Sequence, residues 1–125
     1  MLDSSTNVGQ SIFELMKRFL SLFVANLDIE SGNTRVGIIT FATSVGTRIR
    51  LDKYSSHAAL QSKISSLYYH GGHSNTAGAL RYVRTEMLTP QLGGDRSDVP
   101  NVIVLTYGTS DDPAAMQVST ACSEV

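Results

Sequence analysis

Val36-Gly37-Ile38-Ile39-Thr40-Phe41, the centre of segment 34–43, is almost continuously apolar and β-branched. A strand with one wet face alternates polar and apolar residues. A run without that alternation is covered on both faces, as in a parallel sheet flanked by helices. Val102-Ile103-Val104-Leu105-Thr106 repeats the pattern and predicts a second buried parallel strand. Around these runs the period changes. Segment 9–29 carries Ile12, Leu15, Met16, Phe19, Leu20, Phe23, Val24 and Leu27 at three- and four-residue spacing, which predicts a helix whose apolar stripe, Phe19 included, faces the core. Ser4-Ser5-Thr6-Asn7 supplies capping side chains just upstream. After the short break Ser44-Val45-Gly46, Thr47-Arg48-Ile49-Arg50-Leu51 alternates, so 47–52 is expected to be an antiparallel edge strand. Further helices are expected at 56–68 (Leu60, Ile64 and Leu67 inward), at 77–89 (Leu80, Val83 and Met87 inward, Pro90 ending it) and at 114–122 after Pro113. This order predicts an α/β fold: a doubly wound, mainly parallel, Rossmann-like sheet with flanking helices and one antiparallel edge strand.

The composition excludes several classes. At 125 residues the chain is one domain, long enough to bury about two thirds of its unfolded surface. With 42% hydrophobic and 17% charged residues it does not have the composition of a disordered chain. Its 10 basic and 11 acidic residues give no excess for nucleic-acid binding. No run of about 18 apolar residues is present to span a membrane, and the first residues lack the basic start and apolar run of an export signal. A single cysteine, Cys122, closes no disulfide within the chain and excludes a multi-cysteine zinc site. His57, His70 and His73 are not at zinc-ligand spacing, and His73 reads most simply as a solvated loop residue.

Polar loops stand at 3–7, 71–76 and 107–112, where ligands bind at the carboxyl edge of an open α/β sheet. They offer Asp3, Ser5, Asn7 and Thr76, with Asp111 and Asp112 nearby: hard oxygen donors of the kind magnesium or manganese prefers. The same residue types also cap helices and turn chains, and spacing alone favours that simpler role.

Five stretches in order resemble a von Willebrand factor type A domain of the extracellular-matrix kind found in matrilins, collagen VI and mollusc shell-matrix proteins. Asp3-Ser4-Ser5-Thr6-Asn7-Val8-Gly9 resembles the family's Asp-x-Ser-x-Ser loop. Arg35–Ala42 and Val99–Thr106 resemble its second and fourth strands. Gly71-Gly72-His73-Ser74-Asn75-Thr76-Ala77-Gly78-Ala79-Leu80 resembles Gly-Gly-x-Thr-x-Thr-Gly-x-Ala-Leu. Tyr107-Gly108-Thr109-Ser110-Asp111-Asp112 stands at Asp-Gly-x-Ser-x-Asp. The resemblance covers nearly all of 1–125, read as a single partial domain. The first strand is cut to Met1-Leu2 and the last strands and helices are missing, so a fragment or short form is expected.

The resemblance implies a metal-ion-dependent adhesion site, where a divalent ion keeps a position open for a partner's carboxylate. Asp3, Ser5 and Thr76 match its ligands, Asn7 replaces a serine, and Tyr107 replaces the last aspartate. A weakened or absent site for magnesium, calcium or manganese is therefore expected. Tyr69, His73, Tyr107 and Asp111 are the candidate partner-facing residues. Cys122 is either a small buried residue or, as the resemblance implies, half of a disulfide with a partner outside the chain.

The expected function is non-enzymatic: a protein-binding adhesion module of a secreted matrix protein, with a collagen or a like domain as the candidate ligand. A role in mineralised matrix draws no support from the near-neutral charge. The alternatives are an intracellular scaffold module of a multiprotein assembly and, from another class, a hydrolytic or nucleotide-binding α/β enzyme. Gly-x-Ser-x-Gly, Gly-x-x-x-x-Gly-Lys-Ser/Thr and Gly-x-Gly-x-x-Gly are all absent, which counts against the last.

Overall fold

A computed structural model describes residues 1–105. Its elements are β1 (Leu2–Asp3), α1 (Gln10–Ala25), β2 (Ile38–Phe41), β3 (Val45–Ile49), α2 (His57–Ser65) and α3 (Thr76–Tyr82), which continues as a π-helical turn, Val83–Met87. The sheet order is β1-β2-β3. β1 pairs parallel with β2, in register Leu2↔Thr40 and Asp3↔Phe41, and β2 pairs antiparallel with β3. The hairpin closes through Ala42 N–H to the Ser44 carbonyl at 3.0 Å.

Both faces of β2 are covered, as its unbroken apolar run requires. Ile38 packs with Leu2, Ile49, Phe13, Met16 and Val24 of α1, and Leu60 and Ile64 of α2. Ile39 and Phe41 pack on the other side against Ala79, Val83 and Met87. The doubly wound arrangement is thus present, with a mixed rather than mainly parallel sheet among the described residues.

The predicted strand at 102–106 is corrected for the part described: residues 101–105 enter no ladder, and Val102 is 84% exposed. The reason lies next door. β1 is two residues long, so it offers no length for a parallel ladder on its other side. One bond, from the Met1 nitrogen to the Val104 carbonyl at 2.8 Å, marks where the segments meet. Ile103 still packs against the Ile39–Phe41 cluster. The predicted helix at 114–122 lies outside the described residues.

Helix α1 is shorter than its apolar period. Gly9, at φ 80°, is its N-cap and Asn26 its C-cap. The run 4–7 does not cap it; those side chains serve the loop described below. Phe13, Met16 and Val24 are buried, but Phe19 is 56% exposed, correcting its assignment to the core. The stripe is wider than one contact surface. Phe19 and Phe23 stack on each other, centroids 6.0 Å apart, and line a cavity of about 380 Å³ with Leu20, Leu27 and Val102. For α2 and α3 the inward residues are those expected. Ser56 Oγ caps α2 by accepting from Ala59 N–H at 3.2 Å, and Asn75 Oδ1 caps α3 from Gly78 N–H at 3.0 Å.

A histidine joins the end of α1 to the start of α2. His57 N–H donates to Glu30 Oε1 at 2.9 Å, its Nδ1 pairs with Glu30 Oε2, and its Nε2 meets the Leu27 carbonyl at 2.6 Å. Both ring nitrogens face acceptors, so the doubly protonated ring fits. The Glu30 carboxylate, then the Leu27 carbonyl, raise His57 above its usual 6.5. The His57 backbone N–H chiefly lowers Glu30 below 4.5, and the Ser31 and Asn33 side chains lower Asp28.

A raised histidine stabilises fully below its unfolded pKa and loses that contribution as pH rises through the folded one. A lowered carboxyl contributes above its unfolded pKa and loses that as pH falls through the folded one. The clasp is therefore strongest between about 4.5 and 6.5. Thermal melts should show stability declining above 6.5, with His57→Gln flattening the decline; an unchanged slope in that variant would remove the clasp as its cause.

Candidate functional site

The loop 3–7 leaves the carboxyl end of β1, beside the carboxyl end of β2, and the loop 70–76 folds against it. Backbone N–H groups of both loops stitch them together. Gly71 N–H donates to the Ser4 carbonyl at 2.8 Å and His70 N–H to Ser4 Oγ at 2.7 Å. Thr6 N–H donates to the Gly72 carbonyl at 2.9 Å, and Gly72 N–H returns to Thr6 Oγ1 at 2.9 Å. The short hydroxyl side chains of Ser4 and Thr6 accept two of these bonds directly from backbone of the other loop. Asn75 N–H and Ala42 O, 2.9 Å apart, hold the second loop to the end of β2.

Gly72 permits the close approach. Its φ is +104°, and a Cβ there would lie 2.7 Å from Thr43 Oγ1. Gly72→Ala is therefore expected to lower unfolding stability by about 1–3 kcal/mol in urea titration. A loss of a few tenths or less would mean that Gly72 is not held against Thr43 in this conformation.

Inside the joined loops lies the polar centre. Asp3 is 1% exposed. Its Oδ1 accepts from Ser5 N–H at 2.8 Å, and its Oδ2 accepts from Ser74 Oγ at 2.8 Å. Ser74 Oγ is also 3.3 Å from Thr76 Oγ1. Ser5 Oγ is buried with no hydrogen-bond partner. An unsatisfied buried hydroxyl costs about 1–3 kcal/mol, a cost that an additional polar contact at this centre would relieve. One carboxylate and several hydroxyl oxygens make a hard donor set, which fits a divalent cation of the magnesium type.

Of the residues singled out in the sequence, Asp3, Ser5 and Thr76 are brought together in this buried centre. Asn7 and His73 are exposed. Tyr69 is half-buried against Phe13, ring centroids 6.0 Å apart, and its hydroxyl donates to the Ser5 carbonyl at 3.2 Å. It supports the loop from beneath, while Tyr68 beside it is 61% exposed. Tyr107, Asp111 and Cys122 lie outside the described residues.

Ser74 was missed as a site residue, although it is the hydroxyl in direct contact with Asp3. The signal was present in Gly71-Gly72-His73-Ser74-Asn75-Thr76, where both alternate positions carry hydroxyls. Only the fold shows which of the two touches the carboxylate.

The sequence profile of the von Willebrand factor type A domain matches residues 1–125. The chain belongs to the von Willebrand factor type A domain family. Among curated relatives, this type A domain is 33% identical over 114 residues to the mouse (Mus musculus) collagen alpha-4(VI) chain, covering 90% of this chain and 5% of that one. It is 31% identical over 127 residues to mouse matrilin-4, covering 99% of this chain and 20% of that protein. The domain thus spans a small part of the relatives it matches.

Among solved structures, proximal thread matrix protein 1 from the mussel byssus superposes with a TM-score of 0.84 at 23% identity, over 96% of this chain and 32% of that one. A further structure of that mussel protein, with a zinc-occupied MIDAS (metal-ion-dependent adhesion site) motif, gives a TM-score of 0.85 at 22% identity, over 98% of this chain and 34% of that one. These likenesses establish the shared fold.

Proposed function

We propose that this type A domain is a non-enzymatic protein-binding module of a secreted, extracellular-matrix protein, docking a protein partner, such as a collagen, through the loops at the carboxyl edge of its sheet. The observation that carries this is the buried Asp3–Ser74 pair beside the unsatisfied Ser5 hydroxyl. Asp3, Ser5 and Ser74 would hold a divalent ion, with Thr76 and Asn7 as further oxygen donors. A bound ion would supply an open coordination position for a partner's carboxylate.

The chain's own residues do the positioning. Ser5 N–H and Ser74 Oγ fix both carboxylate oxygens of Asp3. The stitched loops set those groups at the sheet edge, where Tyr69 supports them and exposed His73 borders them. In sequence, Tyr107 stands where the family pattern has aspartate, which argues for weak metal affinity, and Tyr107 and Asp111 complete the proposed partner-facing set. Support for the matrix setting comes from the collagen and matrilin relatives. The non-enzymatic reading rests on the same collagen and matrilin relatives.

The test is capture of the chain on immobilised collagen in magnesium and again in chelator, with Ser74→Ala alongside. Binding that chelator and Ser74→Ala both weaken supports the proposal. Collagen binding indifferent to both would move the contact away from this site.

A further inference from the structure

β3 ends the sheet among the described residues, and its outer side carries no recorded backbone bond. Thr47 N–H points inward, donating to Thr40 Oγ1 of β2 at 2.8 Å. Backbone groups alternate along a strand, so the Arg48 N–H points outward, where an added strand would accept it. An open edge of this kind is a template for strand addition.

Its charge is one-sided. β3, the helix α3 that packs against it and the π-helical turn that continues α3 hold Arg48, Arg81 and Arg84 against Glu86 alone. Arg48 lies over the Tyr82 ring of α3, its guanidinium carbon 5.1 Å from the centroid. That contact spends the face of the guanidinium and leaves its N–H edges for an anion. Arg81 and Arg84 are exposed, one helical turn apart, with no side-chain hydrogen bond or ion pair among the described residues. Arg50, by contrast, is already paired with Asp52 at 3.0 Å.

We infer that β3 is a docking edge for an extended, acidic segment of a partner polypeptide, which joins the sheet beside β3 and sets carboxylates against Arg48, Arg81 and Arg84. The occupant follows from charge. A second copy of β3 would bring arginine against arginine, which cross-strand pairing penalises, whereas a glutamate or aspartate opposite Arg48 is favoured. This edge is separate from the Asp3 site.

The probe is an eight-residue peptide alternating threonine and glutamate, titrated into the 125-residue chain by fluorescence anisotropy. The glutamate peptide should bind and its lysine counterpart should not. Arg48→Glu and Arg81→Glu, each confirmed folded by circular dichroism, should weaken binding roughly five- to tenfold, while Arg18→Glu, at an exposed position on α1, leaves it unchanged. If Arg48→Glu does not fold, Arg81→Glu decides. A peptide N-methylated on its pairing edge should lose binding although its charge is intact. Equal binding of the lysine peptide, full affinity of the N-methylated one, or indifference to the Arg48 and Arg81 variants would overturn the proposal. So would binding of a sulfated heparin hexasaccharide where the glutamate peptide fails.

Discussion

Phe13→Ala is expected to destabilise the domain by about 3–5 kcal/mol, a large part of the 5–15 kcal/mol that typical domains possess. Phe13 is fully buried at the junction of α1 with the sheet, against the Tyr69 ring, with the Lys17 ammonium 5.9 Å from its own ring centre. Truncation would leave a cavity under the loop 3–7, because Tyr69 supports the Ser5 carbonyl through its hydroxyl. Phe19→Ala, six residues along the same helix, should cost about 1 kcal/mol or less, since Phe19 is 56% exposed. Urea titration of both variants settles the comparison. Equal losses would mean that α1 is rotated from the orientation described.

The second large effect concerns metal affinity. Magnesium needs about six oxygens, with one or two carboxylates among them. Asp3 is the buried carboxylate of the centre, so Asp3→Ala should abolish whatever magnesium binding the chain has. Loss of a supporting partner alone typically costs about 10- to 100-fold, and a direct ligand costs more. Tyr107→Asp should act in the other direction, raising affinity by roughly 10- to 100-fold if an aspartate there orients a bound water. Isothermal titration with magnesium and with calcium measures both. Tight binding by the unmodified chain that survives Asp3→Ala would place the ion elsewhere.

Much of this arrangement was legible in the sequence, for identifiable reasons. The run Val36–Phe41 lacks alternation, and only a strand covered on both faces allows that. Arg48 and Arg50 alternate with Ile49 and Leu51, which marks an edge. Leu60 and Ile64, and likewise Leu80, Val83 and Met87, are spaced for one helix face, and each is buried. What failed was quantitative. Periodicity shows that α1 has an apolar stripe but not how much of it a neighbour covers, so Phe19 was expected inside, while Phe13, outside the expected stripe, is the residue fully buried. An apolar run at 102–106 shows capacity for a strand, yet a strand needs a partner of matching length, and β1 has two residues.

The site divides in the same way. Asp3, Ser5 and Thr76 stood out through loop chemistry and spacing. The direct contact of Ser74 with Asp3 depends on how 70–76 folds over 3–7, a tertiary fact with no local signature. The run 4–7 was expected to cap α1 because those residue types usually act so. Ser4 and Thr6 instead bond to a loop far along the chain.

That distant stitching has a kinetic consequence. Ser4 and His70, bonded at 2.7 Å, are 66 residues apart. Closing a flexible loop of that length costs on the order of 4 kcal/mol in chain entropy before any contact repays it. The pocket around Asp3 therefore cannot take shape from its own neighbourhood during synthesis. It waits until residue 76 and its helix have left the ribosome and docked, so the loop 3–7 is ordered only after most of the described domain has been made.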